Sequence, residues 1–129
     1  MLFARFLGVG ACGFVVDAGL FQLMFAAGGG HIVPRLISAS IAITLTWYLN
    51  RRLVFRTQQS NAMGSEYGRY VVVQVIGLLV NLVVYFMALA ILPVLRNVPV
   101  MAIALGAAAA LLFNFLGARC WAFRTQKEP

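Results

Sequence analysis

The sequence predicts an all-α membrane protein with four transmembrane helices, written as two parallel two-helix repeats with both termini cytoplasmic. Three observations lead there. First, 63% of the 129 residues are hydrophobic, 10% are charged and the mean hydropathy is +0.93, whereas a soluble domain carries about 25% charged residues. Second, the apolar residues fall into four runs, each close to the roughly 20 residues needed to cross hydrocarbon. Third, the basic residues gather at one set of run ends, the pattern that orients membrane segments.

The first helix is placed at about 5–27, its apolar run opening at Phe6 and closing at Gly28-Gly29-Gly30. That run is too long for the apolar core of a signal peptide and contains Asp17, so it is read as a spanning helix. The second is placed at about 32–52, with Ile32 to Leu49 closed by Asn50-Arg51-Arg52. A cytoplasmic loop follows at about 53–68, polar from Arg56 to Arg69. The third helix, about 69–92, is closed by Pro93, and the fourth, about 98–120, by Arg119.

Arg5, Arg51, Arg52, Arg56, Arg69, Arg119, Arg124 and Lys127 fall on one side of these spans, and only Arg35 and Arg96 on the other. The rule that positive charge stays inside assigns the richer side to the cytoplasm. Trp47, Tyr48, Tyr67, Tyr70 and Trp121 crowd the same boundary, as interfacial aromatics do. The net charge of +7 does not point to nucleic acid. The basic residues form no face of their own but cap apolar runs, where they attract anionic lipid head groups.

Two phrases reveal the duplication: NRRLVFRTQ from Asn50 to Gln58, and ARCWAFRTQ from Ala118 to Gln126, are offset by 68 residues. At an offset of 64, Arg5-Phe6 matches Arg69-Tyr70, Gly13 matches Gly77, Asp17 matches Asn81 and Phe21 matches Tyr85. Each unit crosses twice, so the copies point the same way, related by an axis along the membrane normal. The phrases recur because each unit needs its own anchor, and an arginine suits the negative end of a helix dipole.

Anchoring does not account for polar groups inside the spans. Asp17 lies about halfway along the first helix, where a carboxylate costs a few kcal/mol on insertion scales and marks a functional candidate. Asn81 is its repeat mate, Asn114 lies inside the end of helix four, Asn50 ends helix two, and Gln22 and Gln74 add two amides. Such amides also serve as helix glue, at about 0.6 kcal/mol each. Ala102, Gly106, Ala110 and Asn114, four apart, make a small face on helix four for close packing within the subunit or against a partner.

Other chemistries are not supported. Gly8-Val9-Gly10-Ala11-Cys12-Gly13 fits G-x-G-x-x-G, but a dinucleotide site needs a strand before it. Asp17, Glu66 and Glu128 are the only acids, and no two share a predicted helix. There is no hydrolytic triad, no metal spacing and no cofactor motif, and Cys12 and Cys120 read as packed free thiols. The sequence therefore predicts no enzyme, no metal and no cofactor.

Arg5-Phe6-x-x-Val9-Gly10 followed by Asp17 resembles the first-helix signature of GtrA-like membrane proteins. Asn50-Arg51-Arg52-Leu53-Val54-Phe55 resembles that family's N-R-x-W-x-F, with Leu53 where tryptophan is usual. Arg69-Tyr70 with Gln74, Gly77 and Asn81 resembles its third helix. Asn114-Phe115 with Arg119-Cys120-Trp121-Ala122-Phe123 resembles its closing N-F-x-x-R-x-W-x-F. The resemblance runs from Arg5 to Phe123. It implies a bacterial inner-membrane protein that carries a polyprenyl-phosphate-linked monosaccharide, such as undecaprenyl-phosphate glucose, between leaflets for cell-surface polysaccharide synthesis. A glycosyltransferase then uses the sugar. The family also resembles small multidrug-resistance transporters in size and helix number.

For such a substrate only the head group must cross about 30 Å of hydrocarbon. Arg5, Arg51, Arg69 and Arg119, one per helix at the cytoplasmic boundary, are the expected phosphate-binding residues, because a guanidinium can bond two phosphate oxygens at once. Asp17, Asn50, Gln74, Asn81 and Asn114 are the expected polar path. Asp17 either pairs with an arginine in the empty state or carries a proton. Four short helices make a thin wall, so a homodimer is expected, with the small face of helix four as one contact. Two other readings stay open. One is a membrane adaptor that recruits a glycosyltransferase. The other is a proton-coupled exporter of small cations, a poor match to a basic mouth.

Overall fold

The computed structural model describes residues 1–58 and 61–124. Lys127, Glu128 and the end of the second repeated phrase, Thr125-Gln126, lie outside the described residues. Among the described residues all regular structure is helical, and four helices are long and apolar enough to cross a membrane. The chain forms two compact units, Met1–Gln59 and Ser60–Pro129.

In the first unit, α1 spans Leu2–Ala26 and α2 spans Ile32–Leu49. Between them the chain reverses through Gly28 and Gly30 at φ of +88° and +70°. That left-handed region is open to glycine and strained for most other residues. From Asn50 to Val54, α2 widens into a π turn, closed by the Phe55 N–H donating to the Asn50 carbonyl at 2.8 Å. In the second unit, α3 spans Met63–Ile91, a short 3₁₀ turn covers Pro93–Arg96, and α4 spans Pro99–Gly117. Pro99 sits in the first turn of α4, where its missing N–H leaves no bond unmade. A second π turn, Ala118–Ala122, follows, closed by the Phe123 N–H donating to the Ala118 carbonyl at 2.9 Å. The two π turns thus fall on the two related phrases.

The packing inside each unit follows one plan. In the first, Phe6, Val9 and Gly13 of α1 face a stripe of α2 in which Pro34, Ser38, Ala42, Asn50 and Val54 are buried. In the second, Tyr70, Val73 and Gly77 of α3 face Ala102, Ala110, Ala118 and Ala122, with Gly106 also buried. Small residues every fourth position let two backbones approach closely. A Cβ on Gly13 would overlap the Thr46 side chain, and one on Gly77 would overlap the Asn114 amide. Each π turn delivers a phenylalanine onto the opposite helix. Phe55 meets Phe6 with ring centroids 6.3 Å apart, and Phe123 meets Tyr70 at 5.7 Å.

Three expectations are corrected. The loop placed at 53–68 is much shorter, because the second helix continues through Val54 and α3 begins at Met63. Glu66, expected in that loop, is fully buried in the first turn of α3, where the positive end of the helix dipole suits a carboxylate. The small face of α4 packs on α3 of the same chain, with Ala102 at 0% exposure, so it is not open to a second copy.

Candidate functional site

The polar residues separate into a groove at the basic end of the first unit, an ion pair deeper in that unit, and an amide clasp in the second. The groove has a volume of about 560 Å³ and runs between α1 and the end of α2. Arg5 and Arg56 stand on it, above a floor of Gly8, Val9, Cys12, Leu49 and Leu53. The hairpin brings the two arginines together by pairing the start of α1 with the end of α2, as the Phe6–Phe55 contact also shows. Both guanidiniums belong to exposed residues. Two cations over an apolar trough can take one anionic group with a hydrocarbon chain attached.

The corresponding positions in the second unit are different. At offsets of 64 and 68 from Gly8, Cys12 and Leu53 stand the larger Val72, Ile76 and Trp121. Arg69, the counterpart of Arg5, is committed. Its Nε and Nη2 donate to the Ala122 carbonyl at 3.3 and 3.2 Å, fastening the second π turn to α3. Three of the four arginines expected to bind phosphate are therefore placed otherwise than Arg5. Arg69 closes a helix end. The Arg51 guanidinium lies 6.0 Å from the centre of the Trp47 ring on its own helix, a cation–π contact. Arg119 is exposed on the second π turn. Arg52 sits over Tyr48 in the same way, at 5.4 Å.

Asp17 has a partner that the sequence assigned only to topology. Arg35 Nη1 donates to Asp17 Oδ2 at 2.7 Å. The other carboxylate oxygen, Oδ1, is buried with no hydrogen-bond partner. The arginines of the basic end are not the ones that meet this acid. In the second unit, Asn114 Nδ2 donates to Gln74 Oε1 at 3.1 Å. Asn114 Oδ1 is buried over the bare Cα of Gly77. Asn81 lies against Gly106, whose Cβ, if present, would fall 2.6 Å from Asn81 Oδ1 and 2.7 Å from its carbonyl oxygen. Gln74, Asn81 and Asn114 thus share the α3–α4 seam. Asn50 is buried at 1% exposure at the head of the first π turn, and Gln22 is exposed.

Arg35 and Arg56 lie outside the four arginines expected to bind phosphate, yet Arg56 lines the groove and Arg35 meets Asp17. A signal for Arg56 was present: folding residues 5–56 about the glycine turn sets it level with Arg5. No comparable signal existed for Arg35, since an arginine near a helix end ordinarily extends outward to water.

Four apolar helices with arginines at the span ends define a multi-pass membrane protein. Residues 5–123 match the GtrA/DPMS transmembrane domain, and the chain belongs to that family. Neither curated proteins nor solved structures yielded a match.

Proposed function

We propose that this protein moves a polyprenyl-phosphate-linked monosaccharide between the leaflets of the bacterial inner membrane, for use by a glycosyltransferase in building cell-surface polysaccharide. It acts as a carrier and not as an enzyme. The observation that carries the reading is the groove: Arg5 and Arg56 over an apolar floor match a lipid whose one phosphodiester joins a sugar to a long hydrocarbon tail. Membership of the GtrA/DPMS family supports the same substrate class. So does the distribution of arginine and lysine, which by the positive-inside rule favours a cytoplasmic side for both termini and the groove, where such a lipid would be made.

In this reading the tail stays in the bilayer while the head group is captured at Arg5 and Arg56 and enters along the first unit. The two units form a parallel repeat, in a bundle of the small-multidrug-resistance type, and two copies of the chain supply a wall thick enough to enclose a sugar. In the second unit, Arg69 and the Gln74–Asn114 clasp are engaged internally.

The test uses purified full-length protein in liposomes with no other protein present. A radiolabelled polyprenyl-phosphate hexose is placed in one leaflet and its appearance in the other is followed. Protein-dependent movement, weakened by Arg5→Gln and by Arg56→Gln, is the expected result. An absence of movement with folded wild-type protein would overturn the carrier and favour an adaptor that recruits a glycosyltransferase.

A further inference from the structure

Arg35 takes an unusual course for an arginine so close to a helix end. α2 begins three residues earlier, at Ile32, and an arginine there normally snorkels outward. Its level relative to Asp17 follows from the packing. Gly13 lies against Thr46 and Ala42, so Asp17, one turn further along α1, is level with the Ser38–Ala42 region of the antiparallel α2. Arg35 lies about a turn beyond that region, so its side chain runs back toward the middle of the span to reach the acid.

The pair is not a closed structural bridge. Asp17 is largely covered, with 17% of its side chain exposed, while 59% of the Arg35 side chain is exposed. A guanidinium has five N–H groups in a planar fork. Only Nη1 meets Asp17, and Nε and Nη2 have no protein acceptor among the described residues. The second unit has no such pair. Asn81 and Ile103 stand at the matching positions, and α3 and α4 hold together without it. A helix pair of this plan therefore does not need the ion pair for its assembly. What remains is an uncommitted bidentate edge on an exposed side chain of the first unit.

Resting on the carrier reading above, we infer that Arg35 is a second anion station for the phosphodiester, in the half of the first unit away from the Arg5–Arg56 groove, and that Asp17 is the counter-charge that limits its affinity. The empty station is neutral and so is tolerated in the bilayer. An arriving phosphodiester takes the free edge of the fork, two oxygens to two nitrogens. The nearby carboxylate repels it, which keeps the complex weak and lets the head group leave. Losing Arg35 and losing the Asp17 charge must then act in opposite directions on occupancy. Two halves of a merely structural bridge would act in the same direction.

The experiment uses the full chain in phosphatidylcholine liposomes and a polyprenyl-phosphate hexose bearing a diazirine beside the phosphodiester. Labelled residues are mapped by mass spectrometry, and movement between leaflets is followed in parallel. Wild type is expected to be labelled both around the Arg5 groove and on α2 between Arg35 and Ala42. Arg35→Gln is expected to lose α2 labelling and transport roughly tenfold or more, the scale of a lost charge-assisted bond, while groove labelling persists. Asp17→Asn is expected to raise α2 labelling by about fivefold, the scale of a like charge removed at contact distance in water. Arg35→Lys, which keeps the charge and loses the fork, should fall between Arg35→Gln and wild type. Full transport by Arg35→Gln, or equal losses of α2 labelling in Arg35→Gln and Asp17→Asn, would overturn the station and leave the carrier standing. Displacement of the label by an equal amount of phosphatidylglycerol would assign the edge to bulk lipid and remove it from the path. Wild type that neither moves nor is labelled by the probe would overturn carrier and station together.

Discussion

Filling the groove without harming the fold separates the role of the groove from that of the helix pair that forms it. Gly8 is the residue for this, because a Cβ there would meet no atom within 4 Å, and the space it would enter is the floor beneath Arg5 and Arg56. Gly8→Leu removes a mid-helix glycine, which in an aqueous helix interior costs about 0.8–1.0 kcal/mol relative to alanine. Stability should therefore stay the same or rise by up to about that amount. The new side chain stands in the apolar trough and pushes a bound phosphodiester away from the guanidiniums. A hydrogen bond to a charged group contributes about 1.5–3 kcal/mol, so losing even one lowers affinity roughly tenfold or more, at about 1.4 kcal/mol per decade. The assay pairs thermal unfolding in detergent with binding of a fluorescent polyprenyl phosphate to protein in nanodiscs. Undiminished binding at undiminished stability would refute the assignment of this groove to the head group. A loss of both together would mean that Gly8 is needed for packing, contrary to the open space around it.

Other outcomes follow from the same geometry. Gly106→Ala should destabilise the second unit by about 1–3 kcal/mol, the usual scale of overpacking, because its Cβ would fall 2.7 Å from the Asn81 carbonyl oxygen, a backbone atom that cannot rotate away; unfolding in a detergent titration reads this. Asn114→Ala leaves Gln74 Oε1 without its donor and should lower stability by about 0.6 kcal/mol, the mean found for such bonds in membrane proteins; a double-mutant cycle with Gln74→Ala would show near-additive losses if the clasp is not made. Arg69→Gln should loosen the second π turn, seen as faster hydrogen exchange at the Phe123 amide, whereas Arg5→Gln should leave the exchange of the Phe55 amide unchanged.

Much of the fold was legible because hydrocarbon imposes a length and arginine imposes ends. The four spans and the basic boundary follow from those two constraints alone, and Gly28 marks the first reversal. The helix ends were less legible. Whether Asn50–Val54 continues the helix depends on the Phe55 N–H choosing the carbonyl five residues back, a hydrogen-bond register that composition does not encode. Glu66 misled for a related reason: one acid among polar residues reads as loop, yet the start of α3 can bury it. The small stripe on α4 declared close approach but not its partner, because Ala102 and Gly106 fit any smooth surface equally well. At the site, Arg5 was legible from its repeated position. Its companionship with Arg56 needed the hairpin geometry, and the inward course of Arg35 needed the coordinates.

The two units share a plan and differ at the positions where they could bind something. Where the first has Gly8, Cys12 and Leu53, the second has Val72, Ile76 and Trp121; where the first has Asp17 and Arg35, the second has Asn81 and Ile103. Three floor positions gain bulk while Leu49 is met by Gly117, and the Asp17–Arg35 pair is met by neutral residues. Arg69 turns onto the Ala122 carbonyl while Arg5 faces a groove. These differences fit a division of labour between the two units. One hairpin keeps open space at its basic end, and the other ties Arg69 to the Ala122 carbonyl and Asn114 Nδ2 to Gln74. In the carrier proposed above, a head group would meet cations on the first hairpin at two levels, Arg56 and Arg5 at one end and Arg35 toward the other. This spacing is what a head group needs if it is to be passed along and not simply held.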